Sequence, residues 1–183
     1  RDALGRYVNP ELADRFIADP DSLALGGQSV EATLLMSDLR GYTVLSETLS
    51  AEEMVTLLNG YLGAMTEVIA EYNGTIIEFI GDAIFVVFGA PFQSEDDPER
   101  AVRCAIAMQQ ALERFNEESA QTGWAVLQMG IGLNTGEVVA GNIGSNLAAK
   151  YGVIGEAVNL TARIESLTTS CQIFITSGTK EKV

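Results

Sequence analysis

The chain has 183 residues, of which 47% are hydrophobic and 20% charged, with two cysteines and no histidine. This is ordinary globular usage in a length that suits one domain with a core of its own. Without histidine there is no Ser-His-Asp or Cys-His nucleophile and no His-ligated zinc, so any catalysis rests on carboxylates, amides, Arg, Lys, hydroxyls or a metal held by oxygen.

The net charge is −14, from 25 acidic and 11 basic residues. The basic residues are scattered, so no nucleic acid partner and no insertion of this domain into a membrane is expected. An anionic ligand would need divalent cations to bring positive charge. The longest apolar runs, such as Ala83 to Phe88, have the length of a strand rather than a membrane span. Cys104 and Cys171 form no CxxC pair and read as reduced thiols in a cytoplasmic setting. Because the chain starts at Arg1 rather than Met, it is expected to be a piece of a longer protein.

Residues 1–28 read as an N-terminal connector and linker. Asn9-Pro10-Glu11 opens a helix with Leu12, Phe16 and Ile17 on its apolar face. Asp19-Pro20-Asp21 ends it, and Gly26-Gly27 reads as a hinge-like break. Residues 29–183 read as the main domain. Ala32 to Ser37 is a short buried strand leading into Asp38-Leu39-Arg40-Gly41-Tyr42-Thr43. Ser50-Ala51-Glu52-Glu53 is a capping box, and the helix it opens carries Met54, Val55, Leu58, Tyr61, Leu62, Met65, Val68, Ile69 and Tyr72 at core spacing. Thr75 to Ile80 and Ala83 to Phe88 form a hairpin around Gly81-Asp82. A second long helix starts after Ser94 with Ala101, Cys104, Ala105, Met108, Ala111, Leu112 and Phe115 on one face. Trp124 to Leu133 is a strand, Asn134-Thr135-Gly136-Glu137 a turn and Val138 to Ile143 a strand; Glu156 to Leu167 is a helix and Ile173 to Thr176 the last strand. This order suits an α+β fold with a ferredoxin-like βαββαβ core, a mixed and largely antiparallel sheet, and further β/α elements at the C-terminal end.

Two carboxylates stand out. Asp38 ends the first strand and Asp82 sits in the hairpin turn. In a ferredoxin-like sheet these strands are adjacent and central, so the pair could hold divalent cations through oxygen. Each alone is also an ordinary turn or capping residue. Backbone N–H groups from Leu39 to Thr43 could cradle phosphate oxygens, although most such loops are only turns. Asn159 and Arg163, four apart, share one helix face, where Arg can offset charge on a phosphoryl group and Asn can orient a hydroxyl; the same spacing also describes a plain solvated face.

Four motifs stand in order: Ser37 to Thr43; Glu78-Phe79-Ile80-Gly81-Asp82; Asn134 to Gly141; and Tyr151 to Gly155 followed by Val158-Asn159 to Arg163. Over about residues 30–178 the chain thereby resembles the catalytic domain of class III nucleotide cyclases, of the bacterial guanylyl cyclase type. The resemblance implies two divalent ions per site, Mg²⁺ or Mn²⁺, held by Asp38, Asp82 and the Leu39 carbonyl. It implies a phosphate-binding turn at Gly41, Tyr42 and Thr43, Asn159 orienting the ribose, and Arg163 stabilising the transition-state phosphate. It implies attack of the ribose 3′-hydroxyl on the α-phosphorus with loss of pyrophosphate. The sites of this family lie between two head-to-tail subunits, so a homodimer with two equivalent sites is expected, and an upstream regulatory domain in the full-length protein. Asn134 stands where many relatives carry His.

The resemblance places Glu78 and Gly152 at two purine-reading positions. Adenylyl cyclases usually have Lys at the first, facing the adenine N1 acceptor. An ionised Glu only accepts, which suits the N1–H and 2-amino group of guanine. Its apolar neighbours Ile77, Phe79 and Ile80 argue against a merely outward-facing residue. Gly152 offers no side chain, so the expected preference for GTP rests mainly on Glu78. The alternatives are an adenylate cyclase, or a non-catalytic nucleotide-binding or dimerisation module, although the two aspartates and the Asn/Arg pair are all present. A domain making cyclic dinucleotides is disfavoured by the lack of a GGDEF-like turn. The family's phosphate-binding Lys lies in a KGK-like loop near the domain's end. Lys180 and Lys182 do not match it, so the C-terminal end is expected to be truncated.

Overall fold

The structure is a computed structural model that describes residues 24–120, 123–145 and 147–183. The connector helix expected after Asn9 lies outside these residues. The described chain forms β1 (Gly26–Leu39), α1 (Tyr42–Thr48), α2 (Ala51–Glu71), β2 (Thr75–Ile80), β3 (Ala83–Phe88), α3 (Asp97–Ala120), β4 (Met129–Gly144), β5 (Ala149–Ile154), α4 (Glu156–Ser166), β6 (Ile173–Ile175) and α5 (Ser177–Lys180). The sheet runs β2-β3-β1-β4-β5 with every neighbour antiparallel, and β6 adds parallel to β4. This is the expected α+β architecture.

Helices α2 and α3 cover one face. Leu57, Tyr61, Met65 and Ile69 from α2 and Ala101, Cys104, Ala105, Met108 and Leu112 from α3 pack on Leu35, Ile84, Val86, Phe88, Met129, Ile131 and Leu133. Each large side chain there contributes about 1.5–3 kcal/mol by leaving water. Strand β3 is an unbroken apolar run because both its faces are covered. Ile84, Val86 and Phe88 meet the helices, and Phe85 and Val87 join Leu34, Val138 and Val153 in a second cluster on the other side. The capping box at α2 forms as expected, with Glu53 N–H donating to Ser50 Oγ at 3.3 Å and Ser50 N–H to the Glu53 carboxylate at 2.9 Å.

Several expectations are corrected. In α2 the buried stripe takes Leu57 and leaves Val55 57% exposed. No strand starts at Trp124, because the Asn116 side chain holds both the N–H and the C=O of Leu127 and so occupies groups that a strand neighbour would pair. Asn134 to Glu137 is not a turn but the middle of β4, paired with Glu31 to Leu34 of β1. Asn134 is buried there, donating to Ala157 O at 3.0 Å and accepting from Thr176 Oγ1 at 2.9 Å. Residues 149–154, expected as no element, form β5. Gly26 and Gly27 are no hinge: they lie inside β1, paired with Asn142 and Gly141.

Helix α4 lies on the face opposite α2 and α3, and glycines let it approach β4 closely. A Cβ on Gly132 would lie 2.5 Å from Glu165 N, so helix or strand would have to shift, and one on Gly136 would lie 3.0 Å from Ala157 Cβ. Ala157 and Val158 of α4 pack against the second cluster.

Candidate active site

The carboxylate pair forms as the topology dictates. In the β1–β3 ladder Ser37 pairs with Ile84, so Asp38, the next residue on β1, comes level with the start of β3 and with Asp82 just before it. Gly81 takes φ 65°, the left-handed geometry that a two-residue hairpin turn asks of its first position. Asp82 Oδ2 accepts from Leu39 N–H at 3.1 Å. Burial, and then the adjoining Asp38 carboxylate, push the Asp82 pKa up to about 6. Two carboxyl groups this close repel when both are ionised, and a divalent cation relieves the repulsion. Behind the pair lies Tyr61, fully buried, its hydroxyl donating to Met129 Sδ at 3.3 Å; burial raises its pKa.

The donor set fits a hard cation. Asp38, Asp82 and the Leu39 carbonyl offer only oxygen, and the described residues hold no cluster of three Asp, Glu or Cys side chains suited to a metal. Two carboxylates leave coordination positions for water and substrate phosphate, which is how Mg²⁺ is usually bound.

Of the expected phosphate cradle, Leu39 and Arg40 spend their N–H groups inside the protein, on Asp82 and on Gln128 O at 2.7 Å. Gly41, Tyr42 and Thr43 remain as the cap and opening turn of the seven-residue α1, with Gly41 at φ 73°.

Glu78 sits next to a bulge, since β2 pairs Ile76 with Val86 and then Glu78 with Phe85, leaving Ile77 as the extra residue. Its apolar neighbours do not bury it: Phe79 is 45% and Ile80 59% exposed, because β2 is an edge strand. The Glu78 carboxylate is partly exposed and pairs with Lys150 Nζ at 2.7 Å, a residue of β5 that sequence reading passed over. Gly152, two residues along β5, is buried, and a side chain there would press on Ile143 at 3.1 Å. The structure thus brings Glu78 beside the strand of Gly152. Asn159 and Arg163 are both exposed on α4. No hydrogen bond or ion pair among the described residues links Glu78, Asn159 or the Arg163 guanidinium to the carboxylate pair.

A second group that sequence reading missed connects the pair to α4. Arg40 Nη1 lies 3.5 Å from Asp38 Oδ2, and Nη2 reaches Glu165 Oε1 and Thr168 Oγ1 at 2.5 Å and Glu165 O at 2.9 Å. Burial raises the Glu165 pKa while Arg40 pulls it back. The available signal was Arg40 itself, a cation two residues after a candidate metal ligand in an acidic chain.

A ferredoxin-like sheet with paired carboxylates beside its central strands and an exposed Asn/Arg helix defines a class, the nucleotide cyclase catalytic domains. Residues 27–183 match the family described as the adenylate and guanylate cyclase catalytic domain, and the chain belongs to it. The crystal structure of the guanylyl cyclase Cya2 is 54% identical, with a TM-score of 0.84 over 86% of this chain and 80% of that one. An adenylate cyclase of Anabaena cylindrica is 39% identical over 86% of this chain, and adenylate cyclase 1 of Rhizobium meliloti 34% over 91%. The chain spans 32% and 26% of the length of these two relatives. None of the described helices is long and apolar enough to cross a membrane.

Proposed function

We propose that this domain converts GTP to 3′,5′-cyclic GMP and pyrophosphate at sites shared between two head-to-tail copies. The carrying observation is the convergence of Asp38 and Asp82 at the ends of adjoining strands. With the Leu39 carbonyl they would hold two divalent ions, Mg²⁺ or Mn²⁺. When bound, these supply Lewis acidity at the ribose 3′-oxygen and offset charge on the triphosphate. Gly41 to Thr43 present backbone N–H groups to phosphate. From the partner copy, Asn159 orients the ribose and Arg163 balances charge on the α-phosphate during in-line attack. Glu78, also from the partner copy, accepts from guanine N1–H and the 2-amino group, while Gly152 presents no side chain to the base, so selectivity rests mainly on Glu78. Apolar side chains exposed next to these residues, Phe79, Ile80, Ile154 and Leu160, supply surface for a second copy to cover.

Support for GTP is the accessible Glu78 carboxylate and the 54% identity to a guanylyl cyclase. A second reading, cyclic AMP from ATP, is favoured by the adenylate cyclase relatives. The test offers GTP or ATP, with Mn²⁺ or Mg²⁺, and quantifies both cyclic nucleotides. Cyclic GMP in excess is expected. Cyclic AMP in excess keeps the chemistry and overturns the base assignment, and no product from either nucleotide favours a binding module.

A further inference from the structure

One protomer contributes to two sites in the shared-site reading: its carboxylates to one, its α4 to the other. Arg40 touches both contributions. We infer that Arg40 is a positioning residue that couples them, orienting Asp38 in the site to which it lends metal ligands and fixing α4 in the site to which it lends Asn159 and Arg163. The inference rests on the shared-site reading.

The main chain at Arg40 is fixed first, by its N–H bond to Gln128 O at 2.7 Å. The side chain then crosses β4 at Gly130, the residue paired with Asp38. Only glycine permits this crossing, since a Cβ on residue 130 would lie 2.2 Å from Arg40 Nη2 and 1.9 Å from Thr168 Oγ1. Beyond β4 the guanidinium meets three acceptors at the C-terminal end of α4: the Glu165 carboxylate, the Glu165 carbonyl and the Thr168 hydroxyl. The Arg40 and Glu165 side chains are only 23% and 12% exposed, so neither charge has ready solvent compensation if the other is lost. Arg163 precedes Glu165 by two residues and Asn159 precedes it by six on the same rigid helix. A shift of the clamp therefore moves both. The planar fork of Arg makes this multi-acceptor contact, and the point charge of Lys cannot reproduce it.

Because the sites are shared, the two halves of this role separate in mixed dimers. A protomer carrying Asp38→Ala is co-purified with one carrying Arg163→Ala. One intact site remains, to which the first protomer lends α4 and the second lends the carboxylates. Arg40→Lys is then added to one protomer or to the other. We expect kcat to fall about tenfold or more in both placements, as misplaced catalytic groups produce, with the KM for nucleotide changed less than about twofold. Arg40→Lys keeps the charge beside Asp38. Mn²⁺ binding to the Arg40→Lys homodimer with a non-cyclisable GTP analogue, read by electron paramagnetic resonance, should nevertheless weaken by about tenfold, as lost outer-shell support does. A defect in one placement only, or in neither, overturns the coupling, and so does unchanged Mn²⁺ binding. If Arg40→Lys fails to fold, Thr168→Val removes one acceptor while keeping the ion pair; a smaller defect in both placements supports the coupling and a one-sided or absent defect overturns it. An inactive Asp38→Ala/Arg163→Ala mixture beside an active unsubstituted dimer overturns the shared-site reading itself.

Discussion

Glu78 and Lys150 stand on the strands at the two ends of the sheet path, and their side chains meet at 2.7 Å. Five strands laid flat would keep them well apart at about 4.8 Å per neighbour. The sheet therefore curls until its outer strands touch through side chains, and the contact falls at the residue expected to read the base. As a partly exposed pair it adds little to stability. Its effect is on direction, because Lys150 holds one carboxylate oxygen and leaves the other without a partner among the described residues.

Base selectivity should follow this pair. Glu78→Gln removes one acceptor and introduces a donor, so the ratio of kcat/KM for GTP over ATP should fall by about 10- to 100-fold, the cost of one mismatched buried polar contact. Lys150→Met leaves the acceptor but frees its orientation, and the fall should be a smaller one of about threefold. Competition assays with both nucleotides measure the ratio. A Glu78→Gln variant with undiminished GTP preference would remove Glu78 from base reading.

The raised pKa of Asp82 has a sign. The unfolded chain releases this proton near a pH of about 4, and the folded chain keeps it up to about 6. Between the two the folded state binds more protons, so the contribution of Asp82 to stability is fully present below the unfolded pKa and is lost as pH rises through the folded one. In EDTA, denaturant midpoints should decline over this window more in the unsubstituted protein than in Asp82→Asn, whose side chain does not titrate. Equal slopes for the two proteins would contradict the assignment.

Two glycines make an opposed pair. Gly132→Ala drives a Cβ into the Glu165 backbone, so α4 must lift and stability should drop by about 1–3 kcal/mol. Nothing lies within 4 Å of a Cβ on Gly63, exposed within α2. Gly63→Ala should therefore raise stability by about 0.5–1 kcal/mol through helix propensity alone. Thermal and denaturant unfolding read both, and a neutral Gly132→Ala would show that α4 is not held against β4.

Local chemistry made much of this legible. The cap at Ser50, the Gly81-Asp82 turn and the apolar face of α3 depend on neighbours within a few residues, and each forms where the sequence puts it. What was misread depends on distant partners. Asn134-Thr135-Gly136-Glu137 carries turn residues, but β1 on one side and the Thr176 and Ala157 contacts of Asn134 hold it straight. Trp124 to Gln128 has the composition of a strand, yet Asn116 supplies the partner for Leu127 that a strand would have supplied. Within the site, the meeting of Asp38 and Asp82 followed from the fold class, which sets the first strand beside the hairpin that carries Asp82. Nothing local foretold that Lys150 would reach Glu78 or Arg40 would reach Glu165, since each contact joins residues more than seventy positions apart.

Strand β1 runs unbroken for 14 residues, from Gly26 to Leu39, beside the carboxylate pair. At about 3.3 Å per residue it is a rod roughly 45 Å long. Ladder bonds to β4 along its whole length, and to β3 over Thr33 to Ser37, keep it from buckling. No turn within it takes up slack, so sliding Gly26 along the strand would shear the same β4 ladder that runs on to Asp38. Asp38 stands near one end of that rod, and the point where the described chain enters the sheet is the other.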